Sequence, residues 1–444
     1  MNLLFYYKCY NSNNYKWGDI MNNNLKTWRF AYDNDNQIKR VLLGWQTATT
    51  YLYNEKNTPN NYEEVLVFDN EKKACITKTL KIIITEFKNI DENLSKLEVE
   101  ENFETWKKSH IKHFKTINPN FNENTKVVFK IFEVKENLIE KRLELANKIA
   151  KANQDIFGNI SKIEEVNAGF NNSIFDVNDT FIIKVCDNIE KEKLFDTEAN
   201  FYNSNKDNNN IPTLYKFDKS KSVIPYIYEI IEKVNGKTVY YHWYKMNEQE
   251  REKLIQKIVK ILQKIHLKNY PEYNWSENIK NKILDSFNQT TDMFSEEEKD
   301  IILKSLDKYD EILSDNKFSL IHNDLHFDNI LIDNNKNIKL IDFNDSIIAP
   351  FDYDLRLLYM SVETPWKWAN IKMDPYQKPE DYKHLFEYIK KYYKELNNVK
   401  HLDERMLVYR ILDDFKLLPR FREKEAKDRI LLNSKKLLKK LKSI

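Results

Sequence analysis

The stretch Phe318–Asp345, FSLIHNDLHFDNILIDNNKNIKLIDFND, constrains the fold more than any other part of this chain. It contains three short apolar runs, Phe318–His322, Asn329–Ile332 and Ile338–Asp342, which are separated by polar segments. Apolar runs of this length, bounded by Asn and Asp clusters, are typical of β-strands joined by tight loops. The sequence therefore predicts a small unit of strands with polar side chains at the strand ends.

Three of those polar side chains, Asp324, Asn329 and Asp342, have a demanding spacing. Asp324 and Asn329 enclose a loop of four residues, and Asp342 ends the strand that is predicted to return beside it. Two carboxylates and an amide oxygen at neighbouring strand ends can hold Mg²⁺ and still leave one carboxylate to accept a proton. With His322 two residues before Asp324, the pattern is H-x-D-x-x-x-x-N, a phosphoryl-transfer loop. The alternative, a surface hairpin with ordinary turn residues, is disfavoured by this joint spacing.

The segments HNDLHFDNILID and KLIDFND resemble the aminoglycoside phosphotransferase and choline kinase family, the small-molecule relatives of protein kinases. His326 stands where protein kinases usually have Lys, and Asn344 replaces the Gly of D-F-G. The resemblance implies a bilobal, protein-kinase-like fold over residues 136–444. Its N-lobe (136–234) should contain a five-stranded antiparallel sheet, and its C-lobe (235–444) should be mostly helical.

This resemblance also implies a reaction, the transfer of the γ-phosphoryl group of ATP or GTP to a hydroxyl group of a small molecule. Asp324 is the expected catalytic base, and Asn329 and Asp342 are the expected Mg²⁺ ligands. The acceptor would be an aminoglycoside-like antibiotic or a metabolite. The sequence does not distinguish these acceptors, nor does it separate ATP from GTP.

The nucleotide is expected to bind to the N-lobe. Lys184 lies between Ile and Val in a predicted strand, where a Lys is unusual unless it has an anionic partner. Glu198 on the next predicted helix is the expected partner, with Glu192 as its rival. The backbone of Glu232 and Val234 is the expected hinge that contacts the base. The loop AGFNNS is expected to cover the phosphates through Gly169, Asn171, Asn172 and Ser173.

The acceptor pocket of this family is normally formed after the catalytic stretch. Carboxylates that could bind a polycation there are Glu363, Asp374, Glu380 and Asp381. Trp366 and Trp368 could instead stack on a flat ring or a sugar. Asp354, in the segment PFDYDLRLLYM, is expected either to cap a helix or to bind the catalytic loop.

Residues 1–135 are predicted to be mostly strands, which indicates a small β-barrel. Strands are predicted at Glu64–Asp69, Ala74–Thr79, Lys81–Phe87 and Lys126–Val134, and a helix at Phe103–Phe114. The segment over residues 27–135 resembles the ASCH domain, a PUA-like β-barrel associated with RNA or modified nucleobases. The resemblance rests on GWQTAT (44–49), Glu98, Glu100, Trp106, His110 and the strand VVFKIFEV. Residues 1–26 are an extension, and Met1 and Met21 are both possible starts.

A possible ligand pocket in this first domain includes Gln46, Thr49 and Glu64. Relatives that are amidohydrolases use a Lys, a Thr and a Glu, and Gln46 takes the position of that Lys. Because Gln is neither a base nor a cation, ligand binding or scaffolding is favoured over hydrolysis of acylated nucleosides. His110 is predicted to be a packed side chain and not a metal ligand. The helical stretch Lys135–Asp155 contains no Pro or Gly, so the two domains are expected to be closely docked.

The composition excludes several other classes of protein. The 444 residues include 71 Lys and Arg and 69 Asp and Glu, so the net charge of +2 creates no field that demands nucleic acid or a membrane. No apolar run approaches the ~20 residues of a membrane span. Cys9, Cys75 and Cys186 have no metal-binding spacing and suit a reducing compartment. A two-domain α+β protein of the cytoplasm, without a membrane partner, is therefore expected.

One alternative from a different class is a binding protein. Its barrel would recognise RNA or a modified nucleoside, and its kinase part would be an inactive nucleotide sensor. The presence of Asp324, Asn329, Asp342 and Lys184 counts against this alternative, because a sensor has no need for a complete catalytic set.

Overall fold

The computed structural model describes residues 25–30, 33–55, 63–67, 72–98, 102–166, 172–314, 316–365, 367, 374–419 and 424–442. The predicted site residues Gly169 and Asn171, together with Glu100, Trp366 and Trp368, lie outside these ranges.

The first domain is built on one mixed five-stranded sheet in the order β1-β3-β4-β5-β2. The strands are β1 (Lys26–Trp28), β2 (Ala48–Leu52), β3 (Glu63–Val67), β4 (Lys73–Glu86) and β5 (Lys126–Asn137). The helices are α1 (Asn34–Leu42), α2 (Glu92–Ser95) and α3 (Phe103–Ile117). Strand β1 is parallel to β3, and the other neighbours are antiparallel. Within the described residues the sheet is open, because β1 and β2 at its edges do not pair with each other.

The long strand β4 corrects the sequence prediction. Two strands, Ala74–Thr79 and Lys81–Phe87, were expected here, and the structure has a single strand, Lys73–Glu86. The register with β5 shifts between Thr79 and Lys81, so the chain passes this point through a bulge rather than a turn. A bulge bends a strand without ending it, and local sequence does not distinguish the two.

Helix α4 (Leu138–Ala152) joins the first domain to the second without a linker. Asn137 is the last residue of β5 and also caps α4, since its side chain accepts hydrogen bonds from the N–H groups of Ile139 and Glu140 at 3.1 Å. Leu138 packs in a small core with Val65 and Ile76 of the first domain. The later part of α4 packs in the core of the next sheet through Ala146, Ile149 and Ala150. One helix is therefore part of both cores, as the predicted close docking requires.

The second sheet has five strands in the order β6-β7-β8-β10-β9, and all its neighbours are antiparallel. This confirms the predicted N-lobe sheet. The strands are β6 (Ile163–Glu165), β7 (Ser173–Val177), β8 (Phe181–Val185), β9 (Leu214–Asp218) and β10 (Tyr228–Glu232). The helices are α5 (Gln154–Phe157) and α6 (Glu192–Ser204).

The C-lobe is mostly helical, as predicted, with two small sheets. Its strands are β11 (Gly236–Thr238), β12 (Phe318–Ile321), β13 (Ile330–Asp333), β14 (Ile338–Leu340) and β15 (Ile347–Pro350). Its helices are α7 (Val239–Trp243), α8 (Glu248–Ile265), α9 (Trp275–Asn288), α10 (Glu296–Ser305), α11 (Tyr309–Ile312), α12 (Arg356–Ser361), α13 (Leu385–Tyr392), α14 (Leu402–Leu417) and α15 (Lys424–Leu441). Strands β11, β13 and β14 form one sheet, and β12 pairs with β15. None of the helices in the described ranges has the length and apolar character needed to cross a membrane.

Gly236 brings the connection between the lobes against the catalytic strands. It pairs with Asp333 in the β11–β13 ladder. A Cβ atom at this position would lie 2.8 Å from the carbonyl oxygen of Ile332, so only glycine allows the two strands to come this close.

Candidate active site

The loop between β12 and β13 brings Asp324 and Asn329 into direct contact. The amide nitrogen Nδ2 of Asn329 donates to the backbone oxygen of Asp324 at 2.9 Å and to its carboxylate Oδ2 at 3.2 Å. Because Nδ2 is engaged on this side, the amide oxygen Oδ1 is the atom that remains to face a metal ion. The structure therefore brings together the two residues that were predicted to be the base and a metal ligand.

Asp342 follows β14 and lies beside the same loop. The N–H of Ile341 donates to the carbonyl of Asn329 at 3.0 Å, and Nε2 of His322 donates to the carbonyl of Ile341 at 2.9 Å. Asp342 itself is exposed and has a left-handed backbone, with φ of 66°. Asn344 donates to its Oδ1 at 2.8 Å. These bonds hold Asp324, Asn329 and Asp342 at the ends of neighbouring strands.

The donor set at this point suits Mg²⁺. An amide oxygen from Asn329 and a carboxylate from Asp342 are both hard oxygen ligands. Among the described residues, no cluster of three or more His, Cys, Asp or Glu side chains could hold a metal by itself. Mg²⁺ in phosphoryl-transfer sites is commonly bound by one or two protein oxygens together with substrate phosphates and water. The residues present therefore fit a metal ion that arrives with a nucleotide.

Asp354 binds the backbone of the loop that carries Asp324. Its carboxylate accepts the N–H of His322 at 3.1 Å, the N–H of Asn323 at 2.7 Å and Nε2 of His266 at 3.0 Å. Asp354 lies in the first turn of the helical segment that leads to α12, and its side chain binds the backbone of the loop, which is one of the two roles predicted for it. Burial would raise the pKa of the Asp354 carboxyl, but His266 and these other partners hold it below the usual range. Asn323, with φ of 66°, depends on this support.

Asp324 is kept ionised by its surroundings. Burial would raise the pKa of its carboxyl, but the nearby positive groups of His326, His322 and Arg356 lower it well below the ordinary value. His326 Nε2 lies 3.5 Å from Asp324 Oδ2. Burial would lower the pKa of His326, and the Asp324 carboxylate instead raises it. A carboxylate of this kind, one-third exposed (34%), can orient a hydroxyl group and accept its proton.

The predicted pair of Lys184 and Glu198 is present. The Lys184 ammonium contacts the Glu198 carboxylate, both side chains are buried, and Tyr202 donates to Glu198 at 3.0 Å. The rival Glu192 instead pairs with Lys221 at 2.6 Å. Burial would lower the pKa of Lys184, but the carboxylates of Glu198 and Asp342 raise it, so the ammonium stays charged.

Helix α6 also contacts the segment that carries Asp342. Phe201 stacks on Phe343 with ring centroids 4.0 Å apart, and Tyr202 meets the same ring edge-on at 5.4 Å. The helix that holds Glu198 is thereby packed against the residue that follows Asp342. This contact connects the Lys184 pair in one lobe to the metal-ligand candidates in the other.

Two of the other residues predicted to contact the nucleotide, Ser173 and Glu232, have side chains that are already bound by other residues. Ser173 is buried, and its hydroxyl donates to Asp187 at 2.8 Å, so its side chain is already engaged. Asn172, beside it, is half-buried. The Glu232 carboxylate binds Lys339 at 2.7 Å, which leaves the backbone as the part of Glu232 that could contact a base. Val234 lies in the connection to β11 and is half-buried.

Glu229 is a residue of this site that the sequence reasoning missed. It lies in β10 directly opposite Lys184 in β8, and it is fully buried. Neither carboxylate oxygen has a hydrogen-bond partner among the described residues. Burial, together with the charges of Glu198 and Asp342, raises its pKa well above the ordinary value. The only available sequence signal was an acidic residue inside the apolar run YIYEIIE.

Replacing Glu229 with glutamine is expected to change the pH dependence of stability. In the folded protein the pKa of this carboxyl is raised, mainly by burial, whereas the unfolded chain ionises it above about pH 4.3. The contribution of Glu229 to the free energy of unfolding is therefore complete below that pH, and it is lost as the pH rises toward the folded-state pKa. Glu229→Gln should gain thermal stability relative to wild type as the pH rises from about 4.3 toward neutral.

The measurement is the unfolding midpoint of both proteins across this pH range, without nucleotide. Glu164→Gln is the matched control, because Glu164 lies in the same sheet but is exposed. A midpoint difference that does not grow with pH would show that Glu229 is ionised in the folded protein.

In the first domain, one of the predicted pocket residues, Glu64, is part of a buried ion pair, and a second, Thr49, lies beside that pair. Glu64 contacts Lys130 of β5, which the sequence reasoning missed, and Lys130 lies opposite Thr49 in the β2–β5 register. The Lys130 ammonium lies 3.9 Å from the centre of the Trp28 ring. Gln46 donates to Gln37 at 3.0 Å. The structure therefore has a lysine beside Glu64 and Thr49, in β5 and not at the position of Gln46 that the resemblance indicates.

His110 is a packed side chain, as predicted. Its Nδ1 bonds to the Trp106 carbonyl at 2.9 Å, and its Nε2 contacts Glu98 at 3.3 Å. Glu98 also accepts from the Thr50 N–H at 2.8 Å and from Trp106 Nε1 at 3.1 Å. Glu98 thus ties α3 to the sheet, which explains structurally why a buried carboxylate is present there.

Lys130→Met is expected to destabilise the protein by about 3 kcal/mol, because it leaves the buried Glu64 carboxylate without its partner. Urea unfolding measures the loss. The double substitution Lys130→Met with Glu64→Leu should restore most of it, since it removes both charges. An unchanged midpoint in Lys130→Met would mean that the pair does not contribute to stability.

Two of the four predicted acceptor carboxylates, Glu363 and Asp381, form ion pairs. Glu363 pairs with Arg410 at 2.6 Å and with Lys440 at 3.3 Å, and Asp381 pairs with Arg251 at 2.7 Å. A cleft of about 160 Å³ lies beside Glu363. Its lining includes Tyr359, Glu363, Phe386, Lys390, Asp403 and Arg410. Glu380 is exposed, and the Asp374 side chain lies outside the description.

Comparisons with known proteins agree with this architecture. Residues 162–371 match the family model described as the phosphotransferase enzyme family, and residues 26–136 match the model of the ASCH domain. A search of curated proteins finds no significant match.

Two solved structures share the kinase fold. The GDP complex of wild-type aminoglycoside 2'-phosphotransferase-IIIa aligns with a TM-score of 0.51 at 17% identity, over 68% of this chain and 98% of that one. The GDP and kanamycin complex of APH(2")-IIia aligns with a TM-score of 0.51 at 16% identity, over 68% and 99%. Residues 162–371 thus match the phosphotransferase enzyme family and residues 26–136 match the ASCH domain, so the chain combines a phosphotransferase-like kinase fold with an ASCH domain ahead of it.

Proposed function

We propose that this chain transfers the γ-phosphoryl group of ATP or GTP to a hydroxyl group of a small molecule. The observation that carries the proposal is the direct contact of Asp324 with Asn329, beside Asp342 and facing the Lys184–Glu198 pair. The Asp342 carboxylate is close enough to raise the pKa of the Lys184 ammonium, so the two groups act on one volume. A γ-phosphate in that volume would meet a cation, a base and two metal ligands.

Each residue has a proposed task in the reaction. Asp324 accepts the hydroxyl proton of the acceptor as the new O–P bond forms and the bond to the nucleoside diphosphate breaks. Lys184, held by Glu198, contacts the α- and β-phosphates. Asn329 and Asp342 hold Mg²⁺, which neutralises the charge on the phosphates. Asp354 keeps the loop of Asp324 in position through the N–H groups that it binds.

The acceptor is proposed to carry fewer positive charges than an aminoglycoside. The related structure of APH(2")-IIia contains kanamycin, which is a polycation. In this chain, two of the four candidate carboxylates, Glu363 and Asp381, are already paired with Arg or Lys. The Glu363 carboxylate is exposed and Asp381 is half-buried, and a polycation would have to compete with Arg and Lys side chains for both of them. The pairing therefore supports a metabolite acceptor over an antibiotic.

The experiment is Mg²⁺-dependent release of ADP or GDP by the purified protein. Aminoglycosides are tested in one arm and a small-molecule cell extract in the other, with Asp324→Asn as the blank. Product release with extract alone would support a metabolite acceptor, and release with an aminoglycoside would contradict that choice. Nucleotide binding without product in either arm would favour the nucleotide-sensing alternative.

We also propose that the first domain binds a small ligand, such as a nucleoside or a segment of RNA, rather than hydrolysing one. Gln46 Oε1 and Thr79 Oγ1 are buried and have no hydrogen-bond partner among the described residues, which supports a polar ligand. Calorimetric titration with nucleosides and short RNA tests this. Amidase activity of the unaltered protein on an acylated nucleoside would contradict it.

A further inference from the structure

A lysine of the first domain holds the end of a kinase strand. Lys72, directly before β4, donates from Nζ to the carbonyl of Val166 at 3.0 Å and pairs with Glu165 at 3.4 Å. Glu165 is the last residue of β6, and Val166 follows it. Lys72 thus crosses from one domain to the strand pair β6–β7 of the other.

Arg142 of α4 binds the same carboxylate, and the junction between the domains consists of Lys72, Arg142 and Glu165. Its Nε and Nη2 atoms form a bidentate pair with Glu165 at 2.8 and 3.1 Å, and its Nη1 donates to the carbonyl of Lys73 at 2.7 Å. Three segments that are distant in sequence therefore meet at one carboxylate. Bidentate, charge-assisted bonds of this kind fix orientation as well as distance.

The junction is buried, so its geometry is strongly constrained. Lys72 is 5% exposed and Arg142 is 6% exposed. Burial lowers the pKa of the Lys72 ammonium, and the Glu165 carboxylate opposes that shift. A buried charge that lost its partner would be costly, so the strand end cannot easily move away from Lys72.

The strand pair β6–β7 leads directly to the phosphate-binding lysine. The Val166 N–H donates to the carbonyl of Ile174 at 2.8 Å, and Ile174 lies opposite Lys184 in the β7–β8 register. Ser173, beside Ile174, is bound to Asp187. A displacement of β6 would therefore move Ile174 in β7, and Ile174 is paired directly with Lys184 in β8.

We propose that Lys72 is a positioning residue for the nucleotide site, so that the first domain completes the nucleotide-binding half of the kinase. The inference rests on the proposed function, because it assumes that β6, β7 and Lys184 face a nucleotide. Fixing these strands before binding removes an ordering cost that would otherwise be subtracted from nucleotide affinity.

The test uses the full chain with Lys72→Met, which keeps the aliphatic stem and removes the charge. Glu165 retains Arg142 as a partner, so the fold should survive. We expect the Kd and KM for Mg²⁺-nucleotide to rise about tenfold, which corresponds to ~1.4 kcal/mol, while kcat changes little. Lys72→Arg should restore most of the affinity. The matched control is Lys88→Met, because Lys88 is an exposed lysine of the same domain, paired with Glu86.

A second readout does not depend on nucleotide. Amide hydrogen exchange of the free protein should be faster at Val166 and along β7 in Lys72→Met than in wild type. Unchanged exchange, unchanged affinity, or an equal loss of affinity in Lys88→Met would each overturn the inference. If the wild type binds no nucleotide, the proposed function fails, and the exchange data then decide alone whether Lys72 orders these strands.

Discussion

Asp324→Asn should lower kcat by about 10³-fold, while the affinity for nucleotide stays nearly unchanged. The substitution removes the group that accepts the hydroxyl proton but keeps an oxygen that can receive the Asn329 amide. Since Asp324 is proposed to contact the acceptor and not the nucleotide, binding of the donor should be insensitive to the change. Single-turnover rates with the identified acceptor, and calorimetry with the nucleotide, measure the two quantities separately.

The matched control for this prediction is Asp307→Asn, which removes one negative charge from an exposed position in the same lobe. Its kcat should equal that of wild type. If Asp324→Asn turned over at the wild-type rate, another group would have to be the base, and the proposed roles at this loop would be incorrect.

Asp342→Asn should lower kcat by about 10²- to 10³-fold and also weaken Mg²⁺-dependent nucleotide binding, because a metal ligand contributes several kcal/mol through charge stabilisation. Asparagine is the suitable replacement, since Asp342 has a left-handed backbone that Asn adopts as readily as Asp. The loss can then be assigned to the charge and not to the backbone. A Mg²⁺ titration of nucleotide affinity should show a higher midpoint in the variant.

The two substitutions together separate the proposed roles. High Mg²⁺ should partly restore Asp342→Asn, and it should not restore Asp324→Asn. The same Mg²⁺ midpoint in Asp342→Asn and wild type would exclude Asp342 as a metal ligand.

The sequence predicted those parts of the site that depend on local spacing. His322, Asp324 and Asn329 lie within eight consecutive residues, so strand and loop geometry brings them together with little help from the rest of the fold. Lys184 and Glu198 were also predictable, because a buried lysine in a strand requires a nearby carboxylate and the following helix supplies one. The single long strand β4 was not, since local pattern does not distinguish a bulge from a turn.

The residues that were missed are joined by register and packing over long distances in sequence. Glu229 faces Lys184 only because β10 pairs with β8 in one particular register. A shift by one residue would turn the carboxylate to the other face of the sheet. Lys72 and Glu165 come from different domains, and nothing in either local sequence indicates the other. Such contacts become visible only once the strands are assembled.

Helix α4 has a consequence for the motion of the enzyme. Kinase-like lobes commonly close over a nucleotide by a hinge movement. Because α4 contributes to the cores of both the first domain and the N-lobe, we expect the two to move together. A hinge movement of the N-lobe would then also move the first domain and any molecule bound to it. That molecule would move each time the cleft opens and closes, so a ligand of the first domain would change the rate of closure.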